Sequence, residues 1–233
     1  MAISEGGFHI IKINNISKSY RGKYVFGPFN INIEKKRIYV LIGGNGAGKT
    51  TLLRGLAGLI KFNEKKDDFS DNFYFVGEEM NVLEYLTGRE NLFLIAKLKK
   101  IDTKKIDSII KLNKLESFID NLVLTYSKGM LEKLKLSIGL LVSPKVLLLD
   151  EPFTSLDVIN LNLLQNNIRE FTRSGDHSVI LSSHSLETIM GMADQLLILN
   201  EGNLKNIDRI KGNVKELRRI ISRNIGGDES EKN

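Results

Sequence analysis

The fold of this chain is decided by the stretch Gly43-Gly44-Asn45-Gly46-Ala47-Gly48-Lys49-Thr50-Thr51. It fits the phosphate-binding pattern G-x-x-x-x-G-K-[ST] and follows the apolar run Ile38–Ile42, which predicts a strand before the motif and a helix after it. Glycines let the backbone approach phosphates closely, so that successive N–H groups and the positive end of the helix face them. The alternative is a glycine-rich turn that binds nothing, but four fixed positions and their context favour a nucleotide site built from all nine residues.

Four side chains are predicted to carry the chemistry of this site. Lys49 neutralises charge on the outer phosphates, and the Thr50 hydroxyl joins the coordination shell of Mg²⁺. Asp150 and Glu151 end a second apolar run, Val146–Leu149, and therefore emerge at the ligand-binding edge of a parallel sheet. We expect Asp150 to hold Mg²⁺ directly or through water, and Glu151 to orient and deprotonate the water that attacks the γ-phosphate. Without the phosphate-binding stretch, a strand that merely ends in acidic residues would be an equal alternative.

Composition limits the remaining possibilities. A chain of 233 residues can form one domain with an inserted subdomain. It contains no cysteine, which excludes disulfides and thiolate metal sites. Its net charge of +6 is scattered among acidic residues, which indicates a solvated surface rather than a nucleic-acid site, except for the basic segment 205–223. The start lacks the order of a signal peptide and no apolar stretch reaches about 20 residues, so we expect a soluble chain.

Hydrophobic periodicity predicts strands that alternate with helices. Near the N-terminus, the residues from Ile11 to Tyr20 and the alternating Phe29, Ile31 and Ile33 indicate strands. Further strands are predicted at 73–76, 145–149, 178–181 and 195–199, with a turn at 200–203 that returns the chain as a hairpin. This alternation is typical of a mainly parallel sheet.

Helices are predicted from start signals and apolar spacing. One follows the phosphate-binding stretch and stops at Gly58, and another follows the capping-box sequence Thr87-Gly88-Arg89-Glu90. Residues 80–142 are predicted to be entirely helical, and a further helix is expected from Arg209. The segment 62–72 is predicted to be a surface loop, and residues 226–233 to fray.

Several further motifs, in their order and spacing, resemble those of the ATP-binding subunit of ABC transporters over about residues 8–207. The sequence Tyr126-Ser127-Lys128-Gly129-Met130 resembles the signature motif of that family, in a variant similar to export-type members. Members more often have glycine where Lys128 stands and glutamine where Met130 stands. The resemblance implies that Ser127, Lys128, Gly129 and Met130 form a second anion site for the γ-phosphate held by a partner subunit. The alternative for Ser127 is an ordinary helix cap.

Four other positions take their expected roles from the same resemblance. Asp157 resembles the D-loop residue at the dimer interface, and His184 the switch histidine that contacts the γ-phosphate. Tyr20 resembles the aromatic residue that stacks on adenine, its alternative being a core tyrosine. Glu78 stands where many relatives have the Q-loop glutamine and is expected to be a metal ligand, with Glu79 as the alternative.

The resemblance implies a fold and an activity. The expected fold is an α/β P-loop NTPase core with a mainly parallel sheet, a small N-terminal antiparallel β-subdomain and a helical subdomain at about residues 80–142. A basic helix and tail are expected at 208–233. The segment between Gly58 and Glu78 is shorter than in relatives, which predicts a reduced β-subdomain.

The expected function is ATP hydrolysis, with ATP and Mg²⁺, that drives transport through a separate membrane permease. The resemblance implies a homodimer or heterodimer of ATPase subunits at the cytoplasmic face, no direct binding to nucleic acid, and export as the direction. One alternative is a soluble ABC ATPase acting on nucleic acid or a protein assembly. The other is a small GTPase or kinase, which has little support because the sequence Asn113-Lys114-Leu115-Glu116 lies in the helical region.

Overall fold

The fold is organised around a buried strand in the middle of a six-stranded sheet. The computed structural model describes residues 9–63, 70–208 and 214–225. Eight strands are found in these ranges: β1 His9–Tyr20, β2 Lys23–Glu34, β3 Ile38–Ile42, β4 Phe73–Val76, β5 Val146–Leu149, β6 Ser178–Ser182, β7 Gln195–Asn200 and β8 Asn203–Asp208. Seven α-helices accompany them: α1 Lys49–Leu56, α2 Gly88–Leu98, α3 Lys105–Leu112, α4 Lys128–Val142, α5 Val158–Ser174, α6 Leu186–Met192 and α7 Val214–Ile225.

The main sheet has the strand order β4-β5-β6-β3-β7-β8. Its first five strands run parallel, and β8 pairs with β7 in the antiparallel direction. All five residues of β3 are buried, as expected for a central strand covered on both faces. The carboxyl ends of β3, β4, β5 and β6 therefore lie along one edge, which is where a parallel sheet presents its ligand site.

Alternate residues of β3 serve two separate cores. Tyr39 and Leu41 pack with β1, β2 and α1 on one face of the sheet. Ile38, Val40 and Ile42 pack with residues of α4, α5, α6 and α7 on the other face. This two-sided burial holds the carboxyl end of β3, and the phosphate-binding stretch behind it, in a fixed position.

The N-terminal strands β1 and β2 form a two-stranded antiparallel sheet, as the family resemblance implies. Residues 80–142 contain α2, α3, α4, a short 3₁₀ turn at Val123–Thr125 and one isolated bridge, and none of them lies in a strand. These helices have a core of their own, around Leu92, Ile110 and Leu134. The fold thus consists of a P-loop NTPase core, a small antiparallel sheet and an inserted helical region.

The predicted boundaries agree with the observed ones to within a few residues. The strand predicted at 145–149 begins at Val146, and the capping box at Thr87 is formed with Glu90. Gly58 lies just past α1 with φ 72°, a conformation that glycine adopts without strain. Of the predicted loop 62–72, residues 64–69 lie outside the described ranges and Ser70–Asn72 form a 3₁₀ turn. The helix predicted from Arg209 is observed at Val214–Ile225, while 209–213 and 226–233 are not described.

Candidate nucleotide site

The phosphate-binding stretch joins β3 to α1, and two of its glycines are required by close packing. A Cβ atom on Gly43 would lie 2.3 Å from the carbonyl oxygen of Leu199, so no larger residue fits beside β7. Gly48 has φ 99° and is the N-cap of α1, a left-handed conformation that disfavours side chains. The stretch thus begins against β7 and ends by directing the N-terminus of α1 into the site.

Lys49 is the first residue of α1 and one of the few buried lysines in the described ranges. Its Nζ donates hydrogen bonds to the carbonyl oxygens of Gly43 at 2.9 Å and Gly44 at 3.2 Å. Desolvation lowers the pKa of Lys49, and the negative charges of Glu151 and Asp150 act in the opposite direction. The ammonium group is therefore held within the loop, beside the carboxylates that follow β5.

Asp150 is held by two hydroxyl groups, one from the first turn of α1 and one from the end of β6. Thr50 Oγ1 donates to one carboxylate oxygen and Ser182 Oγ to the other, both at 2.7 Å. The backbone N–H of Asp150 donates to Val76 O at 2.9 Å. The predicted metal residues Thr50 and Asp150 are thus in direct contact, with the Asp150 carboxylate oriented toward the N-terminus of α1.

Glu151 has a strained backbone and a partly desolvated carboxylate. Its φ of 49° is unusual for a residue other than glycine, and its N–H donates to Ser182 Oγ at 2.8 Å. His184 Nε2 lies 2.9 Å from Glu151 Oε1 without hydrogen-bond geometry, so this buried oxygen accepts no hydrogen bond from any described residue. Burial raises the pKa of Glu151, while the nearby His184 and Lys49 lower it and Asp150 raises it. A carboxylate oxygen that is desolvated and accepts no hydrogen bond suits a general base, whose proton affinity must be raised.

One cavity of about 390 Å³ brings together all three predicted catalytic residues and all three predicted metal ligands. Lys49 and Thr50 line it from the phosphate-binding stretch, and Asp150, Glu151 and His184 from the ends of β5 and β6. It is also lined by Asn45, Gly46, Glu78, Lys128, Glu132, Thr154 and Ser155. Glu79 is not among them, because it forms an ion pair with Arg54 on another surface. The structure therefore places Glu78, rather than Glu79, in the cavity.

A second cavity, of about 660 Å³, extends from the same loop toward the N-terminal sheet. Gly46 to Thr51 line one end, and Tyr20, Lys23, Tyr24 and Val25 line the other with Glu201 and Gly202. Tyr20 is 48% exposed, which excludes the alternative of a core tyrosine. Lys18 Nζ lies 4.5 Å from the centroid of the Tyr20 ring and donates to Lys61 O at 2.6 Å. The Lys18 ammonium therefore lies against one face of the Tyr20 ring, in a cation–π contact at the mouth of the cavity.

Ser127 and Asp157 both cap helices within this chain. Ser127 Oγ accepts a hydrogen bond from Met130 N at 3.2 Å at the start of α4, and Asp157 accepts one from Asn160 N at 2.8 Å at the start of α5. The pKa of Asp157 is lowered, chiefly by that backbone hydrogen bond. Neither residue lines the cavities of its own chain. A Cβ on Gly129 would lie 3.2 Å from Ser155 O, so the starts of α4 and α5 are adjacent.

The donor set suits magnesium that arrives with a nucleotide. Within the described residues, no group of three or more His, Cys, Asp or Glu side chains is arranged to hold a metal by itself. Mg²⁺ is commonly held by one or two protein oxygens together with phosphate oxygens and water. The paired oxygens of Thr50 and Asp150, beside a phosphate-binding loop, match that requirement.

Sequence reasoning missed several residues that the structure brings to the site. Ser182 contacts both Asp150 and Glu151, although its only sequence signal is a polar residue that ends a buried strand before His184. Glu132 also lines the smaller cavity, and burial raises its pKa. Its helical spacing from Lys128 could have indicated that the two residues share a face.

The fold and the site together define a P-loop nucleotide-binding protein, and comparisons with known proteins identify its family. The family model described as "ABC transporter" matches residues 26–154. The uncharacterised ABC transporter ATP-binding protein YhcH of Bacillus subtilis is 32% identical over 87% of this chain and 70% of its own length. The bacitracin transport ATP-binding protein BcrA of Bacillus licheniformis is 34% identical over 84% of this chain and 68% of its own. The chain belongs to the ATP-binding proteins of the ABC transporter family.

Solved structures show the same fold. The ATP-binding subunit of an ABC transporter superimposes with a TM-score of 0.77, at 23% identity over 91% of this chain and 93% of its own. A nucleotide-free ATP-binding cassette gives 0.76, at 20% identity over 91% and 94%. No helix within the described residues is long and apolar enough to cross a membrane.

Proposed function

We propose that this chain binds Mg·ATP, hydrolyses it, and uses the cycle to drive export through a separate membrane permease. The observation that carries the proposal is the smaller cavity, where Lys49, Asp150, Glu151 and His184 meet behind a phosphate-binding loop. Lys49 begins α1 behind β3, Asp150 and Glu151 follow β5, and His184 follows β6, so the fold brings three separate segments to one edge of the sheet. Such an arrangement favours phosphoryl transfer to water over nucleotide storage.

In the proposed reaction, water attacks the γ-phosphorus and the bond to the β-phosphate oxygen breaks, giving ADP and inorganic phosphate. Glu151 accepts the proton of the water, for which its hydrogen-bond-free buried oxygen is suited. His184 lies beside Glu151 and holds the attacking geometry, and Lys49 stabilises charge on the outer phosphates. Tyr20 stacks on the adenine in the larger cavity.

Thr50, Asp150 and Glu78 are the proposed magnesium ligands. Thr50 and Asp150 are already in contact, and Glu78 lines the same cavity. When bound, the metal offsets the charge of the phosphates and of these carboxylates. The remaining ligands are phosphate oxygens and water.

Two ATPase subunits are proposed to close head to tail around two nucleotides. The support is that Ser127 and Asp157 line neither of the two cavities described above, while Ser127, Gly129 and the N-terminus of α4 form an anion site; Lys128, of the same motif, lines the smaller cavity of its own chain as well. In the closed dimer, Ser127, Lys128, Gly129 and Met130 of one subunit face the γ-phosphate held by the other, and Asp157 lies at the interface. Hydrolysis then opens the pair, and the helical region passes the motion to the permease.

The membrane permease and the direction of transport rest on the relatives and the signature sequence. One relative is named for bacitracin transport, and the sequence from Ser127 to Met130 resembles the variant of export-type members. The chain would then work at the cytoplasmic face of the membrane. Residues 8–207 form the proposed ATPase domain, with the helical subdomain at 80–142 and a basic helix and tail at 208–233.

The alternative function is an ABC ATPase that acts on nucleic acid or a protein assembly. One observation favours it: α7 carries four exposed basic side chains, those of Lys215, Arg218, Arg219 and Arg223. Affinity purification of the tagged chain from its own cells separates the two functions. Recovery of a protein with several apolar spans supports transport, whereas recovery of ribosomes or DNA supports the alternative.

Light scattering tests the closed dimer directly. Glu151→Gln in saturating Mg·ATP is expected to have twice the 26.3 kDa mass of one chain, because it binds ATP and does not hydrolyse it. Lys49→Ala should remain at the mass of one chain under the same conditions. The shared site is contradicted if Glu151→Gln, saturated with ATP, stays at 26.3 kDa by itself and also forms no complex with a second ATPase subunit that is added to it.

A further inference from the structure

Lys135 is a buried lysine of α4 that neither the reaction nor the signature sequence accounts for. Its side chain is 3% exposed, and its Nζ donates to the carbonyl oxygens of Glu78 at 2.7 Å and Gly77 at 3.2 Å. Burying an ammonium group is costly unless its donors are satisfied. A lysine in this position therefore indicates a specific requirement at the segment that it contacts.

That segment is where the chain leaves β4 and enters the helical region. Gly77 follows β4 directly, and a Cβ on it would lie 3.2 Å from Asp150 Cβ. Gly77 O also accepts a hydrogen bond from Met80 N, whereas among the described residues Glu78 O accepts one from Lys135 alone. The main-chain position of Glu78 thus depends on the ammonium group of Lys135.

Close packing of α4 on the sheet brings Lys135 within reach of this segment. Gly139 lies one helical turn after Lys135, and a Cβ there would lie 2.9 Å from both Val76 and Leu147. The helix axis therefore approaches β4 and β5 more closely than a larger residue would allow. As a result, Lys135 connects α4, the helix that begins with the signature sequence, to the segment after β4 that lines the phosphate cavity of the same chain.

The charge of Lys135 also matches its surroundings. The smaller cavity is lined by four carboxylates, those of Glu78, Glu132, Asp150 and Glu151. Lys135 favours the ionised form of Glu132, whose pKa is raised by burial and by the nearby Glu78. A buried positive charge behind this acidic wall reduces the repulsion between the carboxylates and the phosphates.

We propose that Lys135 is a positioning residue, whose buried ammonium holds the main chain at Gly77 and Glu78 and thereby places the Glu78 carboxylate for magnesium in the phosphate cavity. This inference rests on the proposed function, because it concerns the same site. It assigns a role to a residue outside the cavity, and it predicts an effect on magnesium-dependent binding rather than on nucleotide binding as such.

Lys133 provides a matched control on the same helix. It is also buried, at 7% exposure, and its Nζ donates to Lys114 O at 3.0 Å and lies 5.5 Å from the centroid of the Phe118 ring. Lys133→Met and Lys135→Met each remove one buried ammonium group, with one carbonyl contact at Lys133 and two at Lys135. Only Lys135 contacts the Gly77–Glu78 segment. An effect that arises from a general loss of stability should therefore appear in both variants, and an effect through this segment only in Lys135→Met.

The experiment is a titration of each variant with a fluorescent, non-hydrolysable ATP analogue, in magnesium and in EDTA. Lys135→Met is expected to weaken binding at least fivefold in magnesium and less than twofold in EDTA. Lys133→Met should change neither affinity by more than twofold. Should Lys135→Met fail to fold, Lys135→Gln, which keeps a neutral amide as donor but removes the charge, is expected to show the same selective loss.

Combining the change with Glu78→Gln tests the route. If Lys135 acts through Glu78, adding Lys135→Met to Glu78→Gln weakens magnesium-dependent binding by less than a further twofold. Equal losses in magnesium and EDTA, a Lys133→Met protein with the same selectivity, or fully multiplicative losses overturn the inference. A wild-type protein whose affinity gains nothing from magnesium overturns the proposed function as well, which separates the two failures.

Discussion

Replacing Ser182 with alanine is expected to damage stability and hydrolysis together. Ser182 is fully buried, donates to Asp150 Oδ1 at 2.7 Å and accepts from the N–H of Glu151 at 2.8 Å. A hydrogen bond to a charged group contributes about 1.5–3 kcal/mol, and a buried N–H without a partner costs about 1–3 kcal/mol. Because the two losses share one network and are not additive, we expect about 2–4 kcal/mol less stability.

The assay combines thermal unfolding with phosphate release. For a chain of this size, each kcal/mol lowers the melting temperature by about 2–4 °C, so Ser182→Ala should melt about 5–15 °C below wild type. Turnover at a temperature where both proteins are folded should fall at least about tenfold, which corresponds to about 1.4 kcal/mol of lost transition-state stabilisation. The reason is that Asp150 and Glu151 both lose their shared anchor.

Ser178 is the matched control, because it lies at the opposite end of β6. It is also fully buried, and its Oγ donates to Glu34 O at 2.6 Å, at the end of β6 that is remote from Asp150 and Glu151. Ser178→Ala should lower the melting temperature while turnover stays within twofold of wild type. Wild-type turnover in Ser182→Ala, or an equal loss in Ser178→Ala, would refute the reasoning.

Two further predictions concern contacts in the helical region and its surroundings, and a third concerns the titration of Glu151. Thr87→Ala removes the capping box of α2 and should cost about 1 kcal/mol in urea unfolding; an unchanged midpoint would contradict the role of the cap. Asn167 is buried, and its side-chain amide donates to Leu112 O and to Asn113 Oδ1. Asn167→Ala should therefore lower the free energy of unfolding by about 1–3 kcal/mol and leave turnover at 25 °C unchanged. A loss of turnover in the folded variant would be inconsistent with a purely structural contact. Burial raises the pKa of Glu151, so its ionisation favours the unfolded state and wild type loses stability as pH rises above the range where a free glutamate titrates. Glu151→Gln lacks this loss, so its melting temperature should rise relative to that of wild type over that range. A difference in melting temperature that stays constant from pH 4 to 8 would contradict this.

Local patterns were sufficient to predict most of the fold. The apolar run before Gly43 is long enough for a buried strand, and the glycines and Lys49 define the loop and helix that follow it. Asp150 is found where a parallel strand ends, because strand direction alone determines the edge at which its carboxylate emerges. The alternation of strands and helices predicted the mainly parallel sheet, and the family resemblance added the antiparallel pairing of the N-terminal strands; both are confirmed.

The contacts within the site could not be predicted in the same way. Ser182 contacts Asp150 and Glu151 only because β6 lies beside β5. Glu132 lines the cavity only because α4 packs on β4, and neither arrangement follows from local sequence. The contact between Lys135 and Glu78 spans 57 positions along the chain. Such contacts depend on the packing of whole elements, to which hydrophobic periodicity contributes only the choice of face.

The proposed role of Glu151 as general base is tested most directly by measuring turnover and ATP affinity on the same Glu151→Gln protein. A general base contributes about 10²–10⁴-fold to the rate. We expect phosphate release to fall at least about a hundredfold, with Mg·ATP affinity equal to or tighter than that of wild type. Phosphate release within tenfold of wild type, in protein that binds Mg·ATP normally, would contradict it.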